Sequence, residues 1–211
     1  NRDQAVMQLL RDHRPDSAVI FCNTKRETAA LAELLRNKGF SAAALHGDLE
    51  QRDRDRTLVM FANKSLTVLV ATDVAARGLD IDALDAVINY QPARDSEVHV
   101  HRIGRTGRAG NSGLAVTLVG EKEAFKVERI GQYAGQEYHC EPLPGAGGDS
   151  SSYLPPMITL QIDGGKKQKV RPGDILGALT GADGIAGTDV GKIQIFDQSA
   201  FVAVRRKASD E

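Results

Sequence analysis

Ten residues near the middle of the chain, HRIGRTGRAG (His101–Gly110), set three arginines among three glycines, with Arg105 and Arg108 three residues apart. Glycine lets a backbone approach a ligand closely. Each guanidinium offers a planar fork of donors that fits phosphate oxygens. A second stretch, ATDVAARGLD, adds Gly78 and Asp80. A carboxylate such as Asp80 accepts from a ribose hydroxyl, while Arg105 and Arg108 can neutralise a transferring phosphoryl group. The plainer alternative for Asp80 is helix capping or a turn.

A different set suits a different ligand. Thr24, Arg26, Gly47, Gln51, Arg54 and Thr72 combine hydroxyls, a glycine amide and guanidiniums. Gln51 and Arg54 are three apart in a helical pattern and so point the same way. Such groups suit successive phosphates of a single strand, gripped without reading bases. His46 and His99 read as structural, since no second ligand type is spaced with them for a metal.

These residues need elements to hold them. Five short apolar runs, SAVIFC, SAAALH, TVLVAT, AVIN and GLAVTLV, are continuous rather than alternating. That pattern predicts strands of a parallel sheet buried on both faces. Between the first two runs, Thr24 and Glu27 form a capping box, Leu31, Leu34 and Leu35 make an apolar stripe, and Gly39 stops the helix. Between the second and third, Leu58 and Phe61 share a helical face. The alternation predicts an α/β doubly wound domain with ligands at the carboxyl ends of its strands, where the polar clusters fall.

The composition then changes. Pro142–Pro156 (PLPGAGGDSSSYLPP) is rich in Pro, Gly and Ser and reads as a linker. Its GAGG is no dinucleotide fingerprint, because no strand precedes it and no helix follows. Beyond it, MITLQID, PGDILGALTG, GKIQIF and SAFVAV predict a small α+β unit of β-α-β-β order. The reading divides the chain into residues 1–141, the linker 142–156, and residues 157–211.

The 211 residues are 41% hydrophobic and 26% charged, with a net charge of −1. No broad basic field advertises nucleic acid, so phosphate binding must come from local clusters. The small unit is near neutral too, with eight Lys and Arg against seven Asp and Glu from Tyr153 onward. Cys22 lies in an apolar run and Cys140 far from it, which predicts reduced thiols and no metal pattern. Nothing reads as a signal peptide or a membrane span, and the expected location is the cytoplasm. A start at Asn1 and a stop just after the third strand of the small unit read as a fragment or processed product.

VIFCNTK, LHGDLEQRDR, ATDVAARGLDI and HRIGRTGRAG occur in order across residues 1–136. This stretch resembles the second RecA-like domain of DEAD-box RNA helicases. The resemblance implies that Arg105 and Arg108 act as arginine fingers on ATP and that Asp80 meets its ribose. It implies that His101 and Arg102 couple this domain to a partner domain. Thr24, Arg26, Gly47, Gln51, Arg54 and Thr72 would contact the RNA backbone, with Asp73 supporting that surface; a local Asp73–Arg77 ion pair is the rival reading. The chain has no G-x-x-x-x-G-K-[ST] phosphate loop and no DEAD tetrapeptide. Arginine fingers act only where nucleotide and magnesium are already held. ATP with Mg2+ would therefore be bound mainly by an amino-terminal RecA-like domain, and this piece alone is expected to be inactive.

DVGKIQIF and AFVAV, after RPGDILGALTGADGI, resemble the RNA-recognition domain of DbpA-type bacterial DEAD-box proteins. That fold stacks bases on aromatic residues of its central strands. Phe201 is kept, whereas Ser199 and Val204 replace other expected rings. Lys166, Lys167 and Lys169, or Arg205, Arg206 and Lys207, are the alternative contacts. The resemblance implies action on large-subunit ribosomal RNA in ribosome assembly. A passive RNA-binding adaptor and a DNA-directed motor are the rival functions.

Overall fold

The computed structural model describes residues 1–77, 83–107, 113–143 and 153–209. In chain order the elements are α1 (Arg2–His13), β1 (Ala18–Phe21), α2 (Lys25–Asn37), β2 (Ala42–Leu45), α3 (Gln51–Ala62), β3 (Val68–Ala71), α4 (Asp73–Ala76), β4 (Ala86–Asn89), α5 (Ser96–Ile103), β5 (Leu114–Thr117), α6 (Ala124–Ala134), β6 (Met157–Ile162), α7 (Pro172–Leu179), β7 (Val190–Ile195) and β8 (Ala200–Arg205). They form two compact units: Asn1–Glu50 with Thr67–Tyr153, and Gln51–Leu66 with Leu154–Glu211.

The first unit is built on a five-stranded parallel sheet of order β2-β3-β1-β4-β5, flanked by helices. Every residue of β1, β3 and β4 is buried. The edge strands β2 and β5 are half-buried, because each has a neighbour on one side only. The predicted burial on both faces thus holds for the three central strands. Helices α1 and α2 close one core with Val6, Leu10, Leu31 and Leu35 against Ile20, Val68 and Ile88. Burying each leucine contributes about 2–3 kcal/mol.

Local signals explain the helix ends. Thr24 caps α2 by accepting from the Glu27 amide at 3.2 Å. Its hydroxyl also donates to the Glu27 carboxylate at 2.7 Å, so the reciprocal bond runs between side chains rather than back to the Thr24 amide. At the other end, the Gly39 amide donates to Arg36 O and the Phe40 amide to Leu35 O, closing a Schellman motif. The predicted stripe is seen, with Leu31 and Leu35 buried and Leu34 packed half-buried against the same core.

In the second unit the antiparallel sheet has the order β6-β8-β7. Ala200, Val202 and Val204 point to one face, where Ile175 of α7 packs on them. Phe201 and Ala203 point to the other. A shift in register between Val190 and Ile193 marks a bulge in β7. Helix α3 belongs to this unit and buries Val59 and Phe61, while Leu58 stays half-exposed.

Candidate functional site

The register fixes where the polar loops of the first unit stand. Phe21 is level with Ala71, Ala71 with Leu45, and Phe21 with Asn89. Two residues further along each chain come Asn23, Asp73, Gly47 and Gln91, so these four lie along one carboxyl edge of the sheet.

Arg102 ties that edge together. It is only 2% exposed, and its Nε and Nη2 donate to the two carboxylate oxygens of Asp73, each at 2.6 Å. The same Nη2 reaches Asn23 Oδ1 at 2.9 Å. Nη1 donates to Asn89 Oδ1 and to the Gln91 carbonyl at 3.3 and 3.4 Å. The guanidinium also lies 5.1 Å from the Phe21 ring centroid. A buried charge is tolerable only when paired and fully hydrogen-bonded, and here both conditions are met. Arg102 thereby joins the loops after β1, β3 and β4 to α5. The donors of Arg102 face inward, so any coupling of this unit to a partner domain runs through the loops and helix it ties together. His101, its predicted companion, is exposed on α5. The rival Asp73–Arg77 pair is replaced by Asp73–Arg102.

The network continues to Thr24. Gln91 Nε2 donates to Glu27 Oε1, and Gln91 Oε1 accepts from the Asn23 amide at 3.3 Å. The Thr24 hydroxyl proton is already spent on Glu27, so a phosphate there must draw it away. Thr72 differs. It caps α4 by accepting from the Ala75 amide at 3.4 Å, and among the described residues its proton has no acceptor. Val74 next to it is 75% exposed, which its apolar side chain did not announce. Arg26 is exposed, and Gly47 is exposed beside Lys25, which pairs with Asp48. That bond to Lys25 holds the Asp48 carboxyl below its ordinary value.

Burial and then the Arg102 charge push the His99 imidazole below its usual range. Burial, before the nearby Glu27 charge, drives the Cys22 thiol up to about 12, so it is inert at neutral pH. Arg105 follows α5 by two residues and is half-exposed. Gly78, Asp80 and Arg108 lie outside the described residues.

In the second unit, Gln51 and Arg54 occupy the first turn of α3, where Gln51 donates to Asp55 at 2.7 Å. Lys166, Lys167 and Lys169 are exposed on a short helical turn tied to the end of β7. The Lys166 amide donates to Phe196 O and the Lys167 amide to Asp197 O, each at 2.9 Å. Gly165 permits this approach, since a β-carbon there would overlap the Phe196 carbonyl and stand 2.7 Å from Asp197 C. Phe201 is 7% exposed and meets Phe196 edge-on at 5.7 Å. On the same face, Ala203 is buried, and Thr159 bonds to Asn63 and Ser65. On this face Phe201 is thus covered while Phe196 stays half-exposed, and the three loop lysines are more exposed than either ring. The sequence places Phe196 at the end of the run GKIQIF, but its pairing with Phe201 across the sheet could not be read from spacing.

The helicase conserved C-terminal domain family matches residues 1–110, and the DbpA RNA-binding domain family matches residues 159–211. The chain belongs to the helicase C-terminal domain family, in its DEAD-box branch. Among individual proteins, it is 53% identical over 201 residues to the ATP-dependent RNA helicase DbpA of Escherichia coli (strain K12), covering 95% of this chain and 44% of that protein. The chain spans about half the length of the curated relatives it matches. A DEAD box protein from the hyperthermophile Methanococcus jannaschii is 40% identical with a TM-score of 0.60, covering 64% of this chain and 37% of that one. S. cerevisiae Dbp5 bound to RNA and ADP BeF3 is 32% identical with a TM-score of 0.60, covering 65% and 37%.

Proposed function

We propose that this chain forms the second RecA-like half and the attached RNA-binding module of an ATP-dependent RNA helicase acting on large-subunit ribosomal RNA in the cytoplasm. One observation carries the reading. The loops bearing Thr24, Gly47 and Thr72 end along one sheet edge, and the helix leading to Arg105 is bonded through Arg102 to the loops of Thr24 and Thr72. RNA-gripping groups and a nucleotide-facing arginine thus share one rigid frame. The E. coli relative named as an RNA helicase and the RNA-bound Dbp5 support it.

On this reading Arg105 and Arg108 neutralise charge on the transferring phosphoryl group, while Gly78 and Asp80 meet the nucleotide. ATP with Mg2+, held mainly by an amino-terminal RecA-like domain, supplies the phosphoryl group and its charge neutralisation. Thr24, Arg26, Gly47, Gln51, Arg54, Thr72 and Asp73 serve the RNA backbone, and Lys166, Lys167 and Lys169 add contacts from the module. His101, exposed on α5, faces the partner half. RNA and ATP both favour the closed pair of halves, so each raises the affinity of the other.

The test is ATP hydrolysis by the intact protein, with large-subunit ribosomal RNA fragments against unrelated RNA. We expect stimulation at lower concentrations of the ribosomal fragments. Removing residues beyond Pro156 should erase that preference yet spare hydrolysis driven by excess unrelated RNA. A protein that binds RNA but hydrolyses no ATP is a passive adaptor and contradicts the proposal. Equal stimulation by deoxyribose strands would assign it to DNA.

A further inference from the structure

A two-bond bridge holds the segment that carries Arg105. The Leu84 amide donates to the Arg105 carbonyl at 3.1 Å, and Leu84 pairs with Thr106 as an isolated parallel bridge. The Thr106 hydroxyl donates in return to the Leu84 carbonyl. Leu84 is 4% exposed and Thr106 9%, so the bridge is buried. Behind it stands Gly113. A β-carbon there would overlap the Thr106 hydroxyl and come within 2.6 Å of the Gly107 amide nitrogen. The end of α5 and the entry to β4 are thereby zipped together, with Gly113 leaving just enough room.

We propose that Thr106 is a positioning residue for phosphoryl transfer. This rests on the reading of the chain as a helicase motor half. Arg105 sits beyond the last residue of α5, after a Gly104 cap whose φ is −67° and ψ 1°. The Arg105 and Thr106 amides make long turn bonds back to Arg102 O and Ile103 O, each at 3.3 Å, and the bridge to Leu84 ties the segment to the entry of β4. Leu84 lies four residues after Asp80 in the sequence, so the same bridge ties the arginine segment to the strand entry that follows Asp80 in the chain. A displacement of about 1 Å at such a site can cost about 100-fold in rate. Thr106→Val keeps the shape and removes the donor, leaving the buried Leu84 carbonyl without it. Thr106→Ser keeps the donor.

In the intact protein at saturating RNA and ATP, Thr106→Val should lower kcat by about 10-fold or more. RNA affinity and the KM for ATP should stay within about twofold, and Thr106→Ser should restore most of the rate. Gly113→Ala, which crowds the same hydroxyl without removing it, should also lower kcat. In the 211-residue chain, the Leu84 amide should exchange with solvent faster in Thr106→Val than in the parent, while Ile88 within β4 keeps its rate. Normal kcat in Thr106→Val overturns the proposal, as does loss of RNA affinity in step with kcat, or Thr106→Ser as impaired as Val. If the parent protein shows no RNA-stimulated hydrolysis, the motor reading itself falls. Leu84 exchange then decides on the bridge alone: equal rates in parent and variant refute it, and faster exchange in the variant upholds it.

Discussion

At the scale of single residues, Arg102 carries the most. Its N–H groups meet both oxygens of the Asp73 carboxylate, the side-chain amides of Asn23 and Asn89, and the Gln91 carbonyl, from three loops and the end of β4. Lysine has the charge without the fork. Arg102→Lys should therefore leave Asn23, Asn89 and Gln91 short of donors and destabilise the chain by about 2–4 kcal/mol. Urea denaturation measures this, and a loss under about 0.5 kcal/mol would show that the network is not what holds the loops. Thr24 and Thr72 illustrate a finer point. Both are hydroxyl caps, yet among the described residues only the Thr24 proton is engaged, by Glu27.

At the scale of elements, the apolar runs were readable because continuous burial needs continuous hydrophobicity, and β1, β3 and β4 obey that rule. The Schellman end of α2 was readable from Gly39, since its left-handed φ of 84° favours glycine. The inward turn of Arg102 was not. Its neighbours Asn23, Asp73 and Asn89 come from distant segments, and no spacing along the chain reveals a partner that only the sheet register brings close. The bridge of Leu84 to Thr106 was hidden for the same reason. His99 on α5 was read as structural, and its burial beside Arg102 gives that a pH signature. Its folded pKa lies below the unfolded value of about 6.5. Its contribution to stability is therefore whole above about pH 6.5 and is lost as pH falls through the folded value. The unfolding free energy measured between pH 8 and 5 should fall on the acid side by at most about 1.4 kcal/mol per pH unit from this group, and His99→Asn should flatten that limb. An unchanged acid limb in the variant would show that another group governs it.

At the scale of the whole molecule, two units of different architecture share the chain. The parallel unit gathers Asn23, Gly47, Asp73 and Gln91 along one polar edge, where we propose that strand and nucleotide bind. The antiparallel unit has one face packed on α7 and the other engaged by Phe196, Phe201 and Thr159 contacts, leaving a rigid basic loop as its outward feature. The ordered motifs made the helicase C-terminal domain legible. The few aromatic residues put stacking on the sheet face in question, and Phe201 is buried there. The central claim is that Arg105 completes a nucleotide site whose floor belongs to another domain. The most direct measurement is RNA-stimulated ATP hydrolysis by the intact protein carrying Arg105→Ala, alongside binding of a fluorescent ATP analogue. The account predicts a fall in kcat of about 10³-fold or more with nucleotide affinity largely retained. Turnover at the parent rate, or hydrolysis by the 211-residue chain alone, would contradict it.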